Sequence, residues 1–218
     1  MCLRNLVLAA LVLTMAAFAQ NPITADSPFQ VRYAANLTAG ESFIDISNTG
    51  ANGAPLLGPG FGGAVGNLCV NVYAFSPDEQ LISCCSCLVT PNGLVHLGVN
   101  ADLTSKTLTG VIPTSVVVKL VASLAGAGGS GTSCTNSAAL AGGDGFPVAK
   151  GMVAWGTTLH PAVPAGTFAT TETAFTPASL SAGELASISG RCAGILGNGS
   201  GFGICNSCKA GGLGGSKK

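Results

Sequence analysis

Three cysteines within four residues, Cys84-Cys85-Ser86-Cys87, constrain this chain more than any other feature. They end an apolar stretch that starts at Leu68 and precede the turn-forming Thr90-Pro91-Asn92-Gly93. On a strand, Cys85 and Cys87 point to one face and Cys84 to the other. Adjacent Cys84 and Cys85 would close a strained ring if joined to each other, so each needs a distant partner. The distant candidates are Cys134, Cys192, Cys205 and Cys208, and Cys69 is the remaining disulfide candidate. Once Cys2 is set aside with the leader described below, eight cysteines remain, and an even number in an exported chain points to up to four disulfides. Spacing alone leaves the pairing open among about 105 connectivities. Cys205 and Cys208 are one pair able to reach Cys85 and Cys87 and staple the C-terminus to a sheet.

A second use of the same sulfurs is a metal centre. Thiolates from Cys85, Cys87, Cys205 and Cys208 would suit zinc or cuprous copper. The spacing is not that of a paired CxxC ribbon, and oxidation competes with ligation outside the cell. Disulfides with no cofactor are therefore the leading expectation, and copper or zinc the alternative.

Export is expected from residues 1–19. Arg4 precedes an apolar run from Leu6 to Ala17, and Ala17-Phe18-Ala19 has the small-residue pattern of a signal cleavage site. The run is short for a spanning helix, and no second apolar span follows. Cleavage removes Arg4 and leaves eight basic residues against nine acidic ones, a formal charge of −1. Only 8% of residues are charged, where ordinary soluble domains have about 25%. With no basic patch, nucleic acid and anionic membranes are poor partners. A neutral, charge-poor surface offers little electrostatic resistance to self-association.

The remaining pattern is that of a mainly β protein. Residues 20–36 form an expected extended N-terminal arm, polar and proline-containing at first, then alternating over Phe29-Gln30-Val31-Arg32-Tyr33 as a strand with one buried face does. Residues 37–218 form a single expected domain. Strands are predicted at Ser42–Ile46, Leu68–Phe75, Gln80–Thr90, Leu94–Val99, Val111–Ile112 with Val116–Ala122, Met152–Leu159 and Phe168–Phe175. Leu68–Phe75 is apolar on both faces and therefore central, and the strands around Ser76–Glu79 and Thr90–Gly93 are expected to form a three-strand meander. Glycine-rich loops span Gly50–Gly66, where Leu56, Leu57 and Phe61 offer cover for a core edge, and Ser123–Pro147, which Cys134 tethers. One helix is signalled late. Ser181-Ala182-Gly183-Glu184 has capping-box spacing, Leu185, Ile188, Cys192 and Ile195 recur at helical intervals, and Gly197 is a stop. The fold expected is an antiparallel β-sandwich, immunoglobulin-like or jelly-roll-like, with one late α-helix and disulfide stabilisation.

No constellation points to an enzyme. His96 and His160 are isolated, Gly-x-Ser-x-Gly is absent, and Asp45, Asp78, Glu79, Asp102 and Asp144 lack the spacing of a calcium loop. Trp155 is expected in the core. Asn36-Leu37-Thr38 is a formal glycosylation sequon.

The stretches Cys69–Phe75 and Cys84–Leu94, with Asp102-Leu103-Thr104, Leu108–Thr114 and Thr171-Glu172-Thr173, resemble an uncharacterised family of secreted cysteine-rich bacterial proteins. That resemblance implies no reaction. More loosely, an exported sandwich with a free arm is similar to β-sandwich subunits of extracellular filaments built by strand donation, although donation does not itself demand eight cysteines. The function expected is that of a secreted, extracellular or cell-surface structural protein that assembles with copies of itself.

Overall fold

A computed structural model describes residues 24–55, 65–134 and 147–208. The predicted leader, Leu56, Leu57, Phe61 and Asp144 lie outside the described residues. Two antiparallel sheets face each other. The first contains β1 (Phe29–Ala34), β3 (Leu68–Phe75), β4 (Leu81–Val89), β6 (Val116–Leu124) and the two-residue β9 (Thr176–Pro177), in the order β4-β3-β6-β1-β9. The second contains β2 (Phe43–Asn48), β5 (Leu94–Gly98), β7 (Met152–Pro161) and β8 (Phe168–Ala174), in the order β5-β2-β7-β8. One helix, α1 (Ala182–Gly197), follows them. The mainly β, two-sheet architecture with a late helix is the one expected from the strand pattern.

The inter-sheet core draws on β-branched and aliphatic residues from both sheets, including Val70, Val72, Val118 and Leu120 on one side and Ile44, Ile46, Val95 and Leu97 on the other. β3 is buried at every position, as a central strand flanked by β4 and β6 must be. β4 is buried at every position too, although it ends the sheet. Its outer edge is closed by other backbone: Leu108 N–H donates to Ile82 O, and Cys84 N–H donates to Gly203 O.

The second face of the first sheet is covered by α1. Ile188, Cys192 and Ile195 pack on Phe29, Tyr73, Leu81 and Val121. Ser181 caps the helix by accepting from Glu184 N–H. The other half of the capping box is absent, because the Glu184 carboxylate pairs with Lys119 Nζ on β6 at 2.5 Å. That contact ties the first helical turn to the sheet instead. The helix runs to Gly197, and the left-handed residue that turns the chain away is Gly199.

Three expectations need correction. Phe29–Tyr33 is not part of a free arm: β1 pairs with β6 along its length and with β9 on its other side. It is covered on both faces, with Phe29 buried and Val31 half-buried beneath α1. Gln30 and Arg32 face inward, while Tyr33 is 60% exposed. Gln30 is satisfied there because its Nε2 donates to the carbonyls of Met152 and Ser27. Second, β5 does not complete a meander with β3 and β4, but crosses to the other sheet and pairs with β2. Asn48 directs the crossing. Its Nδ2 donates to the carbonyls of Gly66 and Val89, its own carbonyl accepts from Asn92 N–H, and it bridges to Pro91. Third, Val111 and Ile112 are not in a strand and are each 67% exposed.

Candidate functional site

All eight cysteines among the described residues are joined in four disulfides: Cys69–Cys134, Cys84–Cys192, Cys85–Cys205 and Cys87–Cys208. Strand geometry dictates the division. Cys84 points outward from β4 to the helix, whereas Cys85 and Cys87 point inward to the C-terminal segment. Cys69 holds the loop that contains Cys134 against Leu88 and Ala125. The four sulfurs considered as metal ligands therefore stand in two disulfides. Four such bonds are the mark of a chain that matures in an oxidising compartment. No described helix is long and apolar enough to cross a membrane.

The C-terminal segment is a plug. Cys205 and Cys208 are buried in the inter-sheet core on the side where β4 meets β5. A π-helical turn at Val99–Thr104 receives the segment. Asp102 is buried there and accepts from Gly98 N–H at 2.8 Å and from Ser207 Oγ at 2.6 Å. Glu41 braces the same turn, accepting from Asn100 N–H and Ala101 N–H. Asp102 and Glu41 are thus occupied as structural acceptors. Gly203, with φ +76°, makes the close approach possible, since a Cβ there would meet Ile195 Cγ2 at 2.7 Å.

The other candidates do not converge on chemistry. His96 lies 2.7 Å from Asp45 and stacks on Phe43 with ring centroids 4.6 Å apart, an exposed pair on the outer face of the second sheet. Trp155, expected in the core, sits opposite Asp45 on that outer face and is half-buried. His160 is on β7, 2.8 Å from Thr171 Oγ1. Asp78 accepts from Ser76 in the β3–β4 turn, which Glu79 closes with φ +66°. Asn36 is exposed, and its Nδ2 donates to Leu159 O.

The cover is strongly lopsided. The first sheet has a helix on its outer face and closed backbone along β4, while no described helix covers the outer face of the second. Beyond it, every residue from His160 to Ala174 is exposed, including all of β8. The second sheet therefore ends in β8, exposed at every position, and in a hairpin tip exposed from His160 onward, while Met152, Ala154, Gly156 and Thr158 keep one face of β7 buried at the hairpin's base. Val163 at its turn is 96% exposed and Phe168 49%. No charged residue occurs from Gly151 to Thr171. That run was visible in the sequence, but periodicity treats it only as two ordinary strands.

A second apolar feature lies at the β4 edge. Leu108, Val111, Ile112 and Phe202 are all exposed there. Beside them is a recess of about 380 Å³ between α1 and β4, lined by Leu81, Leu108, Arg191 and Ile195 among others. A neighbouring recess of about 280 Å³ is lined by Asp78, Thr109, Val111 and Pro113 among others.

Comparison with protein-family models, with curated proteins and with solved structures returns no match for this chain.

Proposed function

We propose that this chain is a secreted structural protein whose copies associate into an extracellular filament or surface layer. The observation that supports this reading best is the bare β7–β8 hairpin, uncharged from Gly151 to Thr171, on a chain whose β4 edge is closed by a covalently stapled segment. Natural sheet proteins protect an edge with charge, proline, a bulge or a covering element. Here β4 is covered, and β9 is two residues long and contains Pro177. β8 has a single charged residue, Glu172, and no described cover. Such an edge can add a strand or pack against an apolar surface.

The arm at 20–36 is not the donor in this reading, because Phe29–Ala34 already has neighbours on both sides. A copper or zinc centre, the other reading, would require the disulfides of Cys85 and Cys87 to be reduced.

Electron microscopy of the mature, non-reduced protein is the direct test. Ordered filaments or sheets support the proposal, and dispersed monomers at high concentration defeat it. Free-thiol and metal measurements on the same sample decide the alternative.

A further inference from the structure

The two exposed apolar features belong to different surfaces of the molecule. The hairpin ends the second sheet at β8, whereas the recesses flank β4, the opposite end of the first sheet. Arg32 on β1 donates to Thr158 on β7 and is close to Thr173 on β8, so β1 lies over the hairpin's base. Three strand spacings separate β1 from β4 in the sheet order, about 14 Å. A surface and its complement that do not coincide make a heterologous contact, which propagates as an open filament when its rotation does not close.

Resting on the self-association reading above, we propose that the β7–β8 hairpin of one copy seats in the β4-edge groove of the next. The occupant is therefore a second copy of this chain. Its tip offers Val163 and Phe168, and the two adjoining recesses of the groove offer Leu108 and Val111, with Ile112 exposed beside them. The sparse charges are compatible as well. Glu172 stands at the hairpin's base, Arg191 lines the recess beside α1 and Asp78 the neighbouring one, so the hairpin's carboxylate belongs on the α1 side of the groove. The contact is made through side chains, because the β4 backbone edge already donates and accepts with Leu108, Ile82, Cys84 and Gly203. An antiparallel β8–β8 pairing between copies is the competing geometry, and it would leave the groove unused.

Complementation distinguishes them. One variant carries Val163→Asp and Phe168→Asp, and the other carries Val111→Asp and Ile112→Asp. All four positions are exposed, and circular dichroism with a free-thiol count checks each fold. Each variant alone should remain monomeric at concentrations where the wild-type protein assembles. Mixed in equal amounts, they retain one intact hairpin and one intact groove, so a 1:1 heterodimer and nothing larger should appear in sedimentation velocity. Should the loop substitutions disturb the fold, Arg191→Glu probes the groove from the helix and should raise the assembly concentration about tenfold.

A groove variant that assembles like wild type, or a mixture that stays monomeric, overturns hairpin-in-groove docking while leaving self-association standing. A wild-type protein that never assembles overturns both.

Discussion

Arg32 is the most anomalous single residue in the fold. It is 7% exposed between the sheets, its Nη2 donates to Thr158 Oγ1 at 2.8 Å, and its Nη1 has no hydrogen-bond partner. No described carboxylate pairs with it, and burial draws its pKa below the ordinary value. Gly156 makes the room, since a Cβ there would meet Arg32 Nη1 at 2.8 Å. A buried charge without a counter-ion is a cost the rest of the core must offset. Thr158→Val alone should therefore destabilise by about 1.5–3 kcal/mol, the usual loss for a hydrogen bond to a charged group. Arg32→Met with Thr158→Val should return stability to the wild-type level or above, as urea denaturation would show. Tyr73 gives a pH prediction. It is 0% exposed, and burial raises its pKa well above the ordinary 10.0. Below that ordinary value the phenol is protonated whether folded or unfolded. Above it only the unfolded chain ionises, so stability should fall by about 1.4 kcal/mol per pH unit. In a Tyr33→Phe background, tyrosinate absorbance should appear together with unfolding. Ionisation that precedes loss of the fold would refute this.

At the level of elements, the two inward-facing disulfides do more than cross-link. They press the C-terminal segment into the β4–β5 side and close an edge strand that carries three cysteines. Replacing Cys85 and Cys205 by serine should cost about 2–5 kcal/mol. It should also expose Cys84 N–H to hydrogen exchange, because its acceptor, Gly203 O, lies two residues from the lost cross-link. Ser181→Ala should cost only about 1 kcal/mol, the ordinary effect of losing an N-cap. Much of this layer was legible in the chain. The β-branched runs at β3, β6 and β7, the serine that caps α1 and the opposed directions of Cys84 and Cys85 all follow from local periodicity. What was not legible depends on distant partners. Polar Gln30 and Arg32 read as a solvent face because nothing nearby in sequence reveals Met152 O or Thr158 Oγ1, which satisfy them inside. Likewise, Thr90–Gly93 suits a hairpin turn, and only Asn48, some forty residues earlier, sends β5 to the other sheet. The apolar groove escaped notice because Leu108 and Ile195 come together only when the C-terminal plug docks.

For the molecule as a whole, the scarcity of charge sets the physics of any assembly. Eight basic and nine acidic residues remain after the expected leader is removed, and several are already occupied. Lys119 is paired with Glu184, Asp102 and Glu41 accept from backbone N–H groups, and Arg32 is buried. Contacts through Val163, Phe168, Val111 and Ile112 would instead draw on removal of apolar surface from water, which near room temperature is driven by entropy and strengthens on warming. Salt screens exposed charges within about 10 Å at 0.1 M but has little hold on such a surface. Light scattering across a temperature and salt series should therefore show assembly strengthening on warming from about 5 to 30 °C. It should change little between about 50 and 500 mM sodium chloride, and sulfate should promote it through exclusion from the surface. Assembly that dissolves on warming, or collapses steeply with sodium chloride, would mean that the few remaining charges, Glu172 and Arg191 foremost, dominate the contact rather than the apolar hairpin tip.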